Sequence, residues 1–91
     1  MSLRVREVQP TPNPNAMKFV LDQVVSDGTI SFLQAEQARS HPLAHELFRI
    51  EGVSGLMLLG DFITVTKKPD SDWKAITVRV KNVLGSFKEP S

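Results

Sequence analysis

Residues 53–67 read VSGLMLLGDFITVTK and predict a β-hairpin. The first part, residues 53–59, is an almost continuous apolar run, which is typical of a strand that is covered on both faces or lies centrally in a sheet. Gly60-Asp61 provides a two-residue turn, and residues 62–67 are rich in the β-branched side chains that favour strands. Because such a short turn joins antiparallel neighbours, the segment predicts an antiparallel sheet.

Helical patterns lie on both sides of this hairpin in the chain. Residues 70–72 (Asp-Ser-Asp) supply a helix cap and negative charge at a helix start. The apolar side chains of residues 72–87 fall within an arc of about 100° on a helical wheel, which predicts one long amphipathic helix. Residues 40–42 (Ser-His-Pro) mark the start of an earlier helix, for which Gly52 is the expected C-terminal cap. Residues 33–39 predict a short helix before it.

The N-terminal part of the chain predicts strands. Residues 3–8 alternate weakly and indicate an edge strand, whereas residues 17–21 alternate clearly, which is typical of a half-buried strand. Asp27-Gly28 lies between β-forming residues and predicts a type I′ hairpin turn, since Gly accepts positive φ at little cost. Residues 1–91 are therefore expected to form one α+β domain. The expected architecture is a two-layer sandwich, in which a mostly antiparallel sheet of about four to five strands carries two main helices and a short one on one face.

The composition excludes several kinds of chemistry. The chain has 91 residues and no cysteine, so disulfides, Cys-type zinc sites, cysteine-ligated iron–sulfur clusters and cysteine nucleophiles are not possible within it. Its net charge of +1 is low for a dedicated nucleic-acid binder. No apolar run reaches the roughly 20 residues of a membrane span, and no secretory signal pattern opens the chain. We therefore expect a cytoplasmic protein that binds neither nucleic acid nor membrane.

Three lysines of the predicted C-terminal helix recur with a period of seven residues. Lys74, Lys81 and Lys88 fall within an arc of about 40° beside the apolar stripe, with about 10 Å between successive positions. The lysines form either a solvated helix face or a basic ridge that docks an acidic partner.

Residues 9–15 form a proline-rich loop, because closely spaced prolines are incompatible with a helix or a central strand. Asn13 and Asn15 alternate with two of these prolines. Residues 12–15 of this loop are either a rigid crossover whose Asn side chains cap nearby backbone groups, or a pre-ordered recognition loop. Asn13 and Asn15, together with the three lysines, are the candidate partner-binding residues.

No arrangement of side chains predicts catalysis or metal binding. His41 and His45 have the i, i+4 spacing of a zinc-protease helix, but Pro42 follows His41 and Glu46 follows the second histidine rather than the first. A helix cap and a surface histidine are the expected roles. Phosphate-binding glycine loops and G-x-S-x-G elbows are absent. We expect no enzymatic activity, and no catalytic, metal-binding or cofactor-binding residue in this chain.

Four ordered motifs resemble the N-terminal domain of Nfu-type (NifU-like) iron–sulfur scaffold proteins. The first is TPNPNAMKF at residues 11–19. The second consists of three short pieces in order: PLA at 42–44, LF at 47–48 and GV at 52–53. The third is DFITVTK at residues 61–67, and the fourth is Trp73. The resemblance implies a compact α/β domain with a place in iron–sulfur cluster biogenesis. In full-length members a second, C-terminal domain carries the Cys-x-x-Cys that holds the cluster. This sequence stops at Ser91 without such a motif, so no cluster ligand can be carried over to it.

The resemblance implies a non-catalytic protein-binding module that docks a scaffold or a recipient protein of the iron–sulfur assembly pathway. A cluster would then be held by a partner or by a separate domain, and this chain would have no cofactor of its own. A general adaptor or structural domain outside iron–sulfur metabolism is the alternative. The identity of the partner, the oligomeric state and the role of the proline-rich loop stay open at this point.

Overall fold

The fold is seen in a computed structural model, which describes residues 3–87. The elements in chain order are β1 (Val5–Pro10), β2 (Ala16–Leu21), β3 (Ser26–Phe32), a 3₁₀ helix (Ala35–Ala38), α1 (Pro42–Phe48), β4 (Val53–Gly60), β5 (Phe62–Lys67) and α2 (Trp73–Ser86). The five strands form one sheet in the order β1-β2-β5-β4-β3, and every neighbouring pair is antiparallel. This architecture confirms the α+β class and the antiparallel sheet.

One face of the sheet forms the core together with the helices. Phe19 lies opposite Ile63, and Ile63 lies opposite Leu58, so three neighbouring strands direct apolar side chains to the same face. All three side chains are fully buried. The helices contribute their own buried side chains to this cluster: Leu43, Ala44, Leu47, Ile76, Val80 and Leu84. The predicted two-layer arrangement therefore rests on one continuous apolar layer between sheet and helices.

The hairpin predicted for residues 53–67 is confirmed. Leu59 of β4 pairs with Phe62 of β5, so Gly60 and Asp61 are the two turn residues, and Gly60 has a positive φ of 58°. β5 occupies the centre of the sheet and β4 is also an interior strand. Met57 on β4 is only half-buried, because it points to the face of the sheet that carries no helix.

Helix α2 also follows the sequence prediction. Asp72 is its N-cap, and a carboxylate oxygen of Asp72 accepts a hydrogen bond of 3.1 Å from the backbone N–H of Lys74. Capping of this kind satisfies one of the donors that a helix start leaves free. Among residues 3–87, no helix combines the length and the apolar character that a membrane crossing requires.

The predicted hairpin turn at Asp27-Gly28 is wrong. Both residues lie inside β3, which is an edge strand paired with β4, and the strand register shifts between Ser26 and Ile30. A type I′ turn needs positive φ at both central residues, yet Gly28 does not have one. Instead, the Ser26 hydroxyl donates to the carbonyl oxygen of Gly28 and stabilises a bulged edge.

Two local predictions between β3 and β4 also need correction. The helix predicted for residues 33–39 is reduced to the 3₁₀ turn Ala35–Ala38. Helix α1 ends at Phe48 with Arg49 as its C-cap, so Gly52 does not cap it. Gly52 has a φ of 98° and forms the turn that leads into β4. Its backbone carbonyl accepts a hydrogen bond of 2.8 Å from the N–H of Lys68, which ties this turn to the end of β5.

Gly52→Ala is expected to destabilise the fold by about 1–3 kcal/mol, because a non-glycine residue is strained at this φ. A Cβ at position 52 would also lie 2.7 Å from Oγ and 2.9 Å from Cβ of Ser71. Urea unfolding measures the loss. Gly28→Ala is the matched control, since a Cβ there meets no atom within 4 Å. Equal midpoints for Gly52→Ala and the wild type would contradict this assignment.

Candidate functional site

Side-chain hydrogen bonds fix the conformation of the proline loop. It spans residues 11–15, because Gln9 and Pro10, which were predicted to lie in the loop, end strand β1. The backbone N–H of Asn15 donates to the side-chain oxygen of Asn13 over 2.9 Å, and the N–H of Ala16 donates to the Asn13 carbonyl over 3.0 Å. The Thr11 hydroxyl accepts a bond of 3.2 Å from the N–H of Asn13 and lies 2.9 Å from the carbonyl oxygen of Ala16. The loop is therefore an ordered connection between the antiparallel neighbours β1 and β2.

A buried lysine joins this loop to the segment that follows β5. Lys67 is only 9% exposed. Its ammonium group donates to the side-chain oxygen of Asn15 over 3.1 Å and to the carbonyl oxygens of Lys68 and Pro69, each over 3.3 Å. The three donors of the ammonium group thus meet three neutral oxygens. We call this arrangement the lysine clasp.

Trp73 completes the connection between the proline loop and α2. Its indole N–H donates to the carbonyl oxygen of Pro14 over 3.0 Å. The ring centroid lies 6.0 Å from the ammonium nitrogen of Lys67, within the range of a cation–π contact. Three of the four motifs that suggested the family, at residues 11–19, residues 61–67 and Trp73, therefore meet at one place.

The structure places Asn13 and Asn15 in this internal network. The side-chain oxygens of both residues accept hydrogen bonds from within the chain. This geometry agrees with the first of the two interpretations, a rigid connection whose Asn side chains bond within the chain, except that the loop joins adjacent antiparallel strands and is not a crossover. A partner-binding role for either asparagine stays a prediction, and the Asn13 side chain is exposed at the surface.

Two of the candidate lysines lie on the exposed surface of α2, and the third, Lys88, lies outside the described residues. Lys74 follows Trp73 and is therefore close to the proline loop, whereas Lys81 lies two helical turns further along, about 10 Å away. Lys81 lines a surface depression together with Arg4. The structure thus brings one candidate lysine near the proline loop and the other near the start of β1.

The sequence did not single out Lys67 or Arg4. The alternation of β5 could have indicated Lys67, since Ile63, Val65 and Lys67 share one face of the strand. Nothing in the local sequence of β1 indicates that Arg4 approaches α2, because that contact depends on how the helix lies across the sheet.

The histidines have the structural roles that were expected of them. His41 is the N-cap of α1, and its Nδ1 atom accepts a hydrogen bond of 3.2 Å from the N–H of Ala44. Its ring also packs edge-on against Phe32 at 5.5 Å. His45 is exposed on the same helix.

The described residues do not fit an iron–sulfur cluster. Within residues 3–87, no three His, Cys, Asp or Glu side chains converge on a point where they could hold a metal ion. The whole chain has no cysteine, and cysteine thiolates are the usual cluster ligands. This part of the chain therefore offers no set of ligands for a cluster.

Fold and site together define a class: a small α+β domain in which a buried lysine and the tryptophan that begins the last helix both hydrogen-bond to a proline loop. The chain belongs to the family described as scaffold protein Nfu/NifU N terminal, whose model matches residues 5–90. The resemblance inferred from the four motifs is confirmed by this match.

Relatives with assigned names are consistent with this membership. The chain is 43% identical over 83 residues to the human NFU1 iron–sulfur cluster scaffold homolog, mitochondrial, and 39% identical to the protein of the same name from Drosophila sechellia. It is 33% identical over 84 residues to the uncharacterized protein YpgR of Bacillus subtilis. Each match covers 89–91% of this chain but only 22–33% of the relative. The chain therefore spans a third or less of the length of these curated relatives.

Solved structures share the fold. A NifU-like protein from Saccharomyces cerevisiae has a TM-score of 0.76 at 27% identity, and the match covers 90% of this chain and 76% of that one. Protein SAV1430 from Staphylococcus aureus has a TM-score of 0.75 at 23% identity, covering 88% of this chain and 96% of that one. At 23% identity, the match to SAV1430 shows a shared fold and carries no inference about function.

Asn15→Ala is expected to reduce the free energy of unfolding by about 1–3 kcal/mol, because it leaves one donor of the Lys67 ammonium group without its acceptor in a largely buried place. In a Lys67→Met background the same substitution should cost little, since the buried charge is already gone. A double-mutant cycle by urea unfolding measures the coupling between the two residues.

Asn82→Ala is the control for this cycle, since Asn82 is exposed on α2. Its effect should be within about 0.5 kcal/mol of zero in both backgrounds. Strictly additive losses for Asn15→Ala and Lys67→Met would contradict the clasp.

Proposed function

We propose that this chain is a non-catalytic protein-docking module in iron–sulfur cluster assembly or delivery. The observation that carries the proposal is the family match over residues 5–90 in a chain without a single cysteine. A member of a scaffold family that has no thiolate to offer a cluster contributes through contacts with other proteins. The partner is a scaffold or a recipient protein of the same pathway.

The names of the relatives support a role in iron–sulfur cluster assembly, but they do not identify the residues that would contact a partner. Human NFU1 is named an iron–sulfur cluster scaffold homolog, but this chain corresponds to about a third of its length, so the role of the whole relative is a proposal here. Lys74, Lys81 and Lys88 are the favoured contact residues. Lys74 and Lys81 are exposed and can face an acidic partner, whereas Lys88 is included by its spacing in the sequence alone. Asn13 and Asn15 are secondary candidates, since their side-chain oxygens already accept hydrogen bonds inside the chain.

The proposal assigns no cofactor to this chain. The cluster is held by the partner or by a separate domain, and the module brings that protein into position. It binds neither nucleic acid nor membrane. We place it in the cytoplasm, although the metazoan relatives are named as mitochondrial; cell fractionation with an antibody against the chain distinguishes the two locations.

Deleting the gene should lower the activities of several iron–sulfur enzymes in cell extracts, because their clusters would be delivered less efficiently. Enzymes without clusters, assayed in the same extracts, are the control, and a plasmid copy of the wild-type gene should restore the lost activities. Unchanged activities of the iron–sulfur enzymes would contradict the proposal and favour a general adaptor outside iron–sulfur metabolism.

A further inference from the structure

The two flanks of α2 differ in how their charges are balanced. On the flank that faces α1, Arg49 and Arg79 line one depression together with Glu46 and Glu51. Arg49 and Glu46 form an ion pair of 3.6 Å there. Two positive side chains thus share this surface with two negative ones, so it offers little net attraction to a charged partner.

The flank that faces β1 has positive side chains without such balance. Arg4 and Lys81 line a depression there in which no carboxylate takes part. Both residues are exposed, and neither side chain enters an ion pair within residues 3–87. A carboxylate oxygen of Asp22 accepts a hydrogen bond of 3.1 Å from the backbone N–H of Arg4, but within residues 3–87 Asp22 forms no ion pair with the Arg4 side chain. Lys74 extends the same flank toward the proline loop.

Two apolar residues, Leu3 and Val5, line this depression beside Arg4 and Lys81. Leu3 is buried and Val5 is half-buried, and the backbone N–H of Leu3 donates to the carbonyl oxygen of Leu84 over 2.9 Å. The strand start is therefore fixed against the end of α2. Gly85 forms the remaining wall, and a Cβ built on it meets no atom within 4 Å.

We propose that this basic depression docks an acidic segment of a partner protein. Carboxylates of the segment face Arg4, Lys81 and Lys74, and a bulky apolar side chain of the segment rests on Leu3 and Val5 beside Gly85. Charge complementarity selects the partner: the depression is positive, whereas the other flank of the same helix is balanced. The net charge of +1 is too small for the sequence-independent attraction that nucleic acids need. This inference rests on the proposed docking function and names the chemistry of the partner.

The test begins with a random peptide library displayed on phage and selected on the immobilised wild-type protein. The selected peptides should be enriched in Asp and Glu flanking a bulky apolar residue. The most frequent one, synthesised with a fluorophore, then serves as the probe for anisotropy titrations at low and at physiological salt. A selection without binders, or with binders that lack acidic residues, would contradict the proposal.

Arg4→Gln combined with Lys81→Gln should weaken binding of this probe by about tenfold and flatten its salt dependence, because two charge contacts are lost. Arg49→Gln combined with Arg79→Gln is the matched control, since it removes the same charge from the balanced flank. That control should leave the affinity unchanged. Equal losses in the two double variants would show a non-specific charge effect and overturn the assignment.

Gly85→Leu tests the shape of the depression independently of charge. The leucine side chain should occupy the space beside Leu3 and Val5 and weaken probe binding by about tenfold or more. Its thermal midpoint should equal or exceed that of the wild type, because leucine favours a helix more than glycine does. Undiminished binding by a folded Gly85→Leu protein would contradict the proposed seat for the apolar side chain.

Complementation separates this inference from the proposed function. If the deletion lowers iron–sulfur enzyme activities and the Arg4→Gln/Lys81→Gln gene restores them fully, the docking surface is wrong and the proposed function stands. If the deletion changes nothing, the proposed function is wrong, and the peptide titrations alone decide whether the depression binds acidic segments.

Discussion

The Lys67 side chain is buried, and the arrangement of the domain depends on keeping its ammonium group hydrogen-bonded. A charged group without partners is costly to remove from water. Here three neutral oxygens, from Asn15, Lys68 and Pro69, accept its three donors. These oxygens come from two connections far apart in the chain, so satisfying one side chain fixes the proline loop against the segment that leads into α2.

The proline loop that the clasp holds also positions helix α2. Trp73 begins α2 and donates to the carbonyl of Pro14, so the first turn of the helix is held by the same loop. From this fixed start α2 runs across the sheet to the point where Leu3 bonds to Leu84. The motif residues that identify the family are thus largely used in building the domain. The exposed flank of α2 beside β1 is the surface that we propose for a partner.

Local sequence predicts the parts of this fold that depend on local chemistry. The hairpin at residues 53–67 and the Asp72 cap of α2 follow from turn and cap residues that act on their immediate neighbours. The turn predicted at Asp27-Gly28 is wrong because the same dipeptide suits both a hairpin turn and a bulge. Only the pairing of β3 with β4 distinguishes the two. The candidate site was predictable in part: the lysines of α2 stand out by spacing, whereas the burial of Lys67 and the approach of Arg4 to Lys81 arise from tertiary packing.

Amide hydrogen exchange of the native protein, followed by NMR, tests the lysine clasp most directly. The N–H of Lys67 donates to the carbonyl of Asn15 over 2.7 Å, and the N–H of Ala16 donates to the carbonyl of Asn13 over 3.0 Å. If the clasp fixes the loop to the sheet, both amides should exchange as slowly as those of Ile63 and Val65 in the central strand, through global unfolding. Fast exchange at Ala16 and Lys67 while the central strand stays protected would show a loop that opens on its own, and would contradict the clasp as the constraint on which the fold depends.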